Sequence, residues 1–130
     1  MAGTLQFELV TPERVALAGE AQQVIVPGLE GQFTVLAGHA PLISALRPGM
    51  IEVAFADART ARVFVKGGVA EVDGEHLTIL AERALEEETL DAQTVAAEIT
   101  AAQAELAAAT EDTARLDAAS ALALLETMRR

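Results

Sequence analysis

Few side chains in this sequence could carry out acid–base or nucleophilic chemistry, and their spacing matches no catalytic motif. The chain has two histidines, His39 and His76, and no cysteine. Ser44 lies in an apolar run without the G-x-S-x-G pattern that exposes a nucleophilic serine. No glycine-rich phosphate loop and no H-E-x-x-H zinc motif occurs. We therefore predict that the chain is not an enzyme by itself, holds no metal and needs no cofactor.

Three polar positions each allow two interpretations. His39 lies in a Gly-His-Ala-Pro sequence, where its ring either hydrogen-bonds within a turn or contacts a partner. Glu30 stands beside Gly31 and is either an exposed turn residue or a docking residue. The three glutamates at 86–88 suggest either a cation site or a solvated acidic segment before a helix.

Composition limits the fold and the partners. At 130 residues the chain fits one domain, or one domain with an appendage. Apolar residues make up 52% of it and aromatic residues 3%, so we expect an aliphatic core. A net charge of −11 argues against electrostatic binding to nucleic acid or to anionic lipid. No secretory signal pattern and no apolar run of about 20 residues is visible, so we expect membrane contact only through a partner.

The stretch from Ile25 to Gly49 organises the first part of the chain. Glycines and prolines divide it into short apolar runs, because these residue types favour turns. We predict strands at Phe33–Leu36 and Leu42–Leu46, with a turn at Gly38–Pro41 between them.

Residues 4–80 keep the same pattern. Leu5, Phe7 and Leu9 alternate with polar residues, which is typical of a half-buried strand. Asp73-Gly74 predicts a tight hairpin turn, and Gly67-Gly68 is expected to end a strand. Turn residues that recur about every 8–12 positions favour an all-β sandwich or barrel of short strands.

The last third of the chain has a different pattern. Glycine and proline are absent after Gly74, and alanine becomes frequent. We expect Thr89 or Asp91 to cap one helix, and Asp112 or Thr113 to cap a second. The sequence thus predicts a β-sandwich domain in residues 1–84 and an antiparallel helical hairpin in residues 85–130.

Each predicted helix carries a narrow apolar stripe, which belongs either to an internal core or to a partner surface. Because alanine buries little area, we expect a loosely held hairpin. The predicted stripes are Leu90, Val95, Ile99, Ala102, Leu106 and Ala109 in the first helix, and Leu116, Ala119, Leu122, Ala123, Leu125 and Met128 in the second.

Several motifs together resemble one protein family along nearly the whole chain, in order and spacing. On these motifs the chain resembles the epsilon subunit of bacterial F-type ATP synthases, whose mitochondrial counterpart is called delta. The motifs are Glu30-Gly31-Gln32-Phe33-Thr34-Val35-Leu36, Gly38-His39-Ala40-Pro41, Leu46-Arg47-Pro48-Gly49, Phe64-Val65-Lys66-Gly67-Gly68, Leu80-Ala81-Glu82 and Leu90-Asp91.

The resemblance implies a fold, a role and a set of partners. The fold is a flattened sandwich of about ten short strands followed by an antiparallel α-helical hairpin. The role is that of a noncatalytic rotor subunit in the central stalk of a proton-translocating ATP synthase, which couples proton flow to ATP synthesis. The partners are the gamma subunit and the ring of c subunits, with alpha and beta reached through the hairpin. The complex would hold the chain, as a peripheral protein, at the cytoplasmic face of the bacterial inner membrane.

The resemblance also assigns two surfaces on the sandwich. Relatives usually carry Glu where this chain has Gln32, so we expect a polar rather than a charged contact there. The c-ring-facing loop comprises Gly28, Glu30, Gly31, Gln32 and Phe33, and the gamma-facing turn comprises His39, Ala40, Pro41 and Leu42.

In many bacterial members of the family the hairpin either packs on the sandwich or extends along gamma and blocks ATP hydrolysis. The extended position uses basic residues of the second helix, for which this chain offers Arg115, Arg129 and Arg130. Acidic neighbours on the same helix would oppose insertion among acidic catalytic subunits.

Some family members bind ATP at the hairpin. Leu90 and Asp91 match the start of their motif, but Thr94 stands where Arg is expected. Without a guanidinium to hold phosphates, we predict weak or absent ATP binding.

The alternative hypothesis is a free-standing β-sandwich that binds a small ligand and self-associates through its helices. Such a module would need a concave pocket with convergent polar groups, and the sequence offers no candidate set.

Overall fold

The computed structural model describes residues 3–128 of the chain. Within that range the chain forms seven strands, one short 3-10 turn at Glu87–Thr89 and two helices. The strands are β1 (Leu5–Val10), β2 (Val15–Gly28), β3 (Gly31–Leu36), β4 (His39–Ala45), β5 (Gly49–Phe55), β6 (Thr60–Gly74) and β7 (His76–Glu86). The helices are α1 (Ala92–Ala108) and α2 (Asp112–Thr127).

The strands close into a flattened barrel. Their order is β1-β7-β6-β5-β2-β3, with β4 paired to β6 and β1 paired again to β2. β1 is antiparallel to β2 and parallel to β7, so the first and last strands complete the ring. β3 and β4 extend the sheet at its margins, and among the described residues each is paired with a single strand.

The predicted sandwich followed by a helical hairpin is confirmed, but its strands are fewer and longer than expected. β6 runs through Gly67-Gly68, where the sequence predicted a strand end. Gly68 has a φ of +120°, and a Cβ there would lie 1.9 Å from the carbonyl oxygen of Leu80. Because glycine has no Cβ, β6 continues to pair with β7 at a point where any other residue would clash with Leu80.

The sandwich core lies between the inward faces of the sheet and is mainly aliphatic. The predicted alternation in β1 is confirmed, because Leu5, Phe7 and Leu9 are buried. Phe7 meets Phe55 edge to face, with ring centroids 6.5 Å apart. β5 likewise buries Ile51 and Val53 on the same side.

The predicted turn at Gly38–Pro41 is wrong in part. The turn is confined to Ala37 and Gly38, and His39–Pro41 already belongs to β4. Proline is tolerated because β4 lies at the margin of the sheet and its register with β6 shifts between His39 and Leu42.

The chain divides into two compact units between Glu86 and Glu87. β7 continues two residues beyond the boundary that the sequence suggested, and the assignment of domains to 1–84 and 85–130 stays a prediction. No helix within residues 3–128 combines the length and the hydrophobicity needed to cross a bilayer.

Asp91 caps α1, as one of the two predicted alternatives. The predicted cap of α2 is wrong: Glu111 holds the cap position without a side-chain hydrogen bond, and Asp112 is already helical. The first predicted stripe is largely confirmed, since Val95 and Ile99 are buried.

The stripe predicted for α2 is correct at Leu125 and Met128 and wrong earlier in the helix. Leu125 and Met128 are buried, whereas Leu116 is 66% exposed and Ala119 and Ala123 are also exposed. The other buried positions are Ala118 and Ala121, which the prediction omitted. Ala118, Ala121, Leu125 and Met128 are three or four residues apart and therefore share one face of the helix.

Candidate partner-binding surface

The predicted c-ring loop is the tip of the β2–β3 hairpin. Pro27 pairs with Gln32 and Gly28 with Gly31, which leaves Leu29 and Glu30 as the exposed two-residue turn. Gly31 has a φ of +145°, in the region that favours glycine. The loop is therefore a tight hairpin end rather than an irregular segment.

Phe33 joins the two predicted surfaces. A Cβ on Gly28 would lie 2.8 Å from the Phe33 ring, so the ring rests directly on the glycine backbone. The same ring lies beside His39, with centroids 6.5 Å apart and planes tilted by 42°. His39 Nδ1 is 2.7 Å from the carbonyl oxygen of Ala40, which is the local hydrogen bond that one interpretation of this residue anticipated.

Main-chain hydrogen bonds support the loop from the side. The Leu29 amide donates to the carbonyl of Ala45 at 2.8 Å, and the Arg47 amide donates to the carbonyl of Pro27 at 3.1 Å. A Cβ at Gly49 would lie 2.6 Å from the Cβ of Pro27. The Leu46–Gly49 motif thus supports the β2–β3 loop. The sequence analysis identified this motif but did not predict its supporting role.

The predicted gamma-facing residues lie at the start of β4. Ala40, Pro41 and Leu42 are exposed, and Ile43, which the sequence analysis did not single out, is 72% exposed. No residue of β4 is buried, although the strand is largely apolar. The apolar composition of β4 was visible in the sequence, but the exposure of Ile43 was not, because it depends on the position of β4 at the margin of the sheet.

The predicted nucleotide motif has a structural use. Leu90 is half-buried, and the Asp91 carboxylate accepts a hydrogen bond of 2.7 Å from the Thr94 amide. That bond lowers the pKa of Asp91 below its usual value. Thr94 offers no cation for phosphates.

The basic residues predicted to serve the hairpin are only partly described. Arg115 is exposed on α2, whereas Arg129 and Arg130 lie outside the described residues. Among residues 3–128 no group of three potential ligands could hold a metal ion.

Comparison with known proteins decides the family. The sequence model of the ATP synthase delta/epsilon chain β-sandwich domain matches residues 4–87. The chain belongs to the ATP synthase delta/epsilon family. Its resemblance to the bacterial epsilon subunit is thereby confirmed, and epsilon chains are subunits of an enzyme complex.

Curated relatives agree with this assignment. The ATP synthase epsilon chain of Maricaulis maris is 43% identical over 129 residues, which span 99% of this chain and 96% of the relative. That of Parvibaculum lavamentivorans is 51% identical over 82 residues, or 63% of this chain and 62% of the relative. That of Rhodobacter capsulatus is 53% identical over 85 residues, or 65% of this chain and 64% of the relative. The chain thus matches less than two thirds of the length of several relatives.

Solved structures show the same fold in distant proteins. A chain of the Euglena gracilis mitochondrial ATP synthase, in a structure of its OSCP, F1 and c-ring, superposes with a TM-score of 0.70 at 23% identity. That match covers 95% of this chain and 78% of the other. A chain of the Tetrahymena thermophila mitochondrial ATP synthase central stalk and c-ring gives 0.68 at 14% identity, covering 99% and 98%.

Proposed function

We propose that this chain is a noncatalytic rotor subunit in the central stalk of a bacterial proton-translocating F-type ATP synthase. The observation that carries the proposal is the family match over residues 4–87, extended to 99% of the chain by the Maricaulis relative. In this role the chain binds gamma and the c-ring and helps to couple proton flow to ATP synthesis. The complex holds it at the cytoplasmic face of the inner membrane.

The hairpin tip suits a contact with the c-ring. Leu29 and Glu30 project from a turn whose backbone is fixed by the bonds to Ala45 and Arg47. A rigid tip loses little conformational entropy on binding, which favours a contact that must transmit torque. Gly28 and Gly31 shape this surface, and Gln32 and Phe33 flank it.

The start of β4 suits a contact with gamma. Ala40, Pro41 and Leu42 present apolar area that the sandwich leaves uncovered, beside the half-buried His39. The Phe33–His39 contact supports this proposal, because it brings the start of β4 beside the β2–β3 loop. Gamma and the c-ring would therefore meet neighbouring parts of one chain.

Inhibition of ATP hydrolysis by the hairpin would meet an electrostatic obstacle in this chain. Within α2 a single cation, Arg115, accompanies the acids Asp112, Asp117 and Glu126. Insertion between alpha and beta subunits would meet like-charge repulsion wherever those subunits are acidic. Asp91 caps α1, so we also expect no tight ATP binding at this position.

The test is reconstitution of the cognate ATP synthase depleted of this subunit, with the full chain or with a chain ending at residue 87. We expect both chains to restore proton-coupled ATP synthesis and to co-purify with the complex. Faster ATP hydrolysis with the shortened chain would establish an inhibitory hairpin. Failure of the full chain to join the complex or to restore synthesis would refute the proposed function.

A further inference from the structure

β3 has one edge that pairs with β2 and a second edge with which no strand of residues 3–128 pairs. Gly28 and Gly31 flank the two-residue turn and form the closing hydrogen-bonded pair of the hairpin. Hydrogen-bonded and non-hydrogen-bonded pairs alternate in an antiparallel ladder, so the next pair, Pro27 with Gln32, is non-hydrogen-bonded. The carbonyl of Pro27 agrees with this assignment, because it accepts from the Arg47 amide instead.

Three residues of β3 therefore direct their main-chain groups toward the second edge. The pair of Thr34 with Ile25 follows the same alternation as Gln32, and so does the pair of Leu36 with its partner on β2. Gln32, Thr34 and Leu36 are all exposed. At about 3.4 Å per residue, their N–H and C=O groups extend over roughly 14 Å. These main-chain groups of Gln32, Thr34 and Leu36 form what we call the β3 edge.

β3 lacks the features that usually protect a free strand edge. Proline, charged side chains and β-bulges are the common ones, since each hinders pairing with another chain. β3 has the sequence Gly-Gln-Phe-Thr-Val-Leu, without proline and without charge. β4, the other strand at the margin of the sheet, has Pro41 and an irregular register between His39 and Leu42. The two margins therefore differ, and the β3 edge is the one that can accept a further strand.

The β3 edge is complementary to another extended main chain. Its alternating donors and acceptors match those of an added strand, which is how strand addition at a sheet edge binds a peptide. A second copy of this chain is disfavoured as the occupant, because each copy carries a net charge of −11. Glu30 is an exposed acid directly before β3, so a strand that carries Lys or Arg at that end fits best.

We infer that the β3 edge pairs with an extended segment of the gamma subunit, uncharged along β3 and carrying Lys or Arg beside Glu30. β3 begins in the c-ring-facing loop and is separated from β4 by two residues, so its edge joins the two surfaces proposed above. The inference rests on the proposed function. It adds a contact of a different kind, a ladder of main-chain hydrogen bonds that extends the sheet beyond β3.

Amide hydrogen exchange of the full chain, with and without the cognate gamma subunit, tests this pairing. In the free chain the amides of Gln32, Thr34 and Leu36 should exchange fast, because no neighbouring strand bonds to them. We expect gamma to slow their exchange about tenfold or more. The amides of Phe33 and Val35 are the internal control, because they bond to β2 and should be slow in both states.

A proline substitution separates the main chain from the side chain. Thr34→Pro removes the central amide of the β3 edge, and we expect it to weaken gamma binding about tenfold in a calorimetric titration. Its melting temperature should stay within a few degrees of the parent, since proline is tolerated where a strand's N–H faces solvent. Thr34→Ala is the matched variant, because it changes the same side chain but keeps the amide, and its loss should be smaller than about threefold.

Each measurement can overturn the inference. If the chain binds gamma but the three amides of the β3 edge exchange as fast as in the free chain, the inference is wrong and the proposed function stands. Equal affinities of Thr34→Pro and Thr34→Ala would also overturn it. Protection that appears without gamma and grows with protein concentration would assign the β3 edge to a second copy instead. If the parent chain does not bind gamma at all, the proposed function fails and the inference falls with it.

Discussion

β4 and β5 are both seven-residue strands that pair antiparallel with β6, yet they have opposite environments. β5 buries every second residue, including Ile51 and Val53, whereas β4 buries none. Both strands are rich in apolar side chains, so composition alone does not distinguish them. The difference lies in position, because β5 sits inside the ring and β4 extends it at the margin. An apolar strand without burial within its own chain is the feature that we assign to partners.

The largest expected effect on stability is at Gly68, where β6 changes from pairing with β5 to pairing with β4. β6 pairs with β5 up to Val65 and with β4 from Val69, and Gly68 lies between. Gly68→Ala would place a methyl group 1.9 Å from the Leu80 carbonyl at a φ of +120°. We expect a loss of about 4 kcal/mol or more in the free energy of unfolding, measured by urea denaturation.

Gly38→Ala is the control for that substitution. Gly38 also has a positive φ of +83°, but a Cβ there meets no atom within 4 Å. We expect a loss of about 1 kcal/mol from backbone strain alone. Equal losses in the two variants would mean that the close approach of Gly68 to Leu80 does not determine the cost of Gly68→Ala.

The second prediction compares the same substitution in the two strands. Ile51→Ala on β5 removes a side chain with 0% exposure, and we expect a loss of about 2–5 kcal/mol. Ile43→Ala on β4 removes one that is 72% exposed, and we expect a change within about 0.5 kcal/mol. Urea denaturation of the isolated chain measures both values. A large loss for Ile43→Ala would show that β4 contributes to the stability of this chain itself.

The third prediction concerns the end of β5. Ala58, in the turn that leads to β6, has a φ of +74°, which is unfavourable for any residue with a Cβ. Ala58→Gly should therefore raise the free energy of unfolding by about 0.5–1 kcal/mol. Thermal denaturation measures the change, and an unchanged or lower melting temperature would contradict it.

The smallest expected effect lies in the helical unit, where α1 has a side-chain cap and α2 has none. The hydrogen bond from Thr94 lowers the pKa of Asp91 in the folded chain. The carboxylate therefore contributes stability above its unfolded pKa of about 3.9, and this is lost as the pH falls through the lower folded value.

Amide exchange of the first turn of α1 measures this contribution. Asp91→Ala should raise exchange at neutral pH, while Glu111→Ala, at the cap position of α2 where the side chain makes no hydrogen bond, should change α2 less. Equal effects in the two helices would contradict the assignment of Asp91 as a cap.

Local residue types explain why much of the fold was predictable. The alternation of Leu5, Phe7 and Leu9 gave the inward face of β1, and Asp91 gave the start of α1. The family motifs located the β2–β3 loop. These features depend on near neighbours in sequence, which a single chain displays directly.

The remaining features depend on distant parts of the chain. Gly67-Gly68 suggests a strand end in the sequence, because the sequence does not show that β7 lies close beside these glycines. His39–Pro41 reads as a turn because the sequence does not show β6 alongside it.

The parallel pairing of β1 with β7 has a consequence for biosynthesis. Residues near the start of the chain find their second set of strand partners only in His76–Leu80. During translation the ring therefore stays open until more than half of the polypeptide has left the ribosome, and β1 has only β2 to pair with until then. Such long-range closure slows folding and exposes strand edges, so the nascent chain is most vulnerable to aggregation just before β7 emerges.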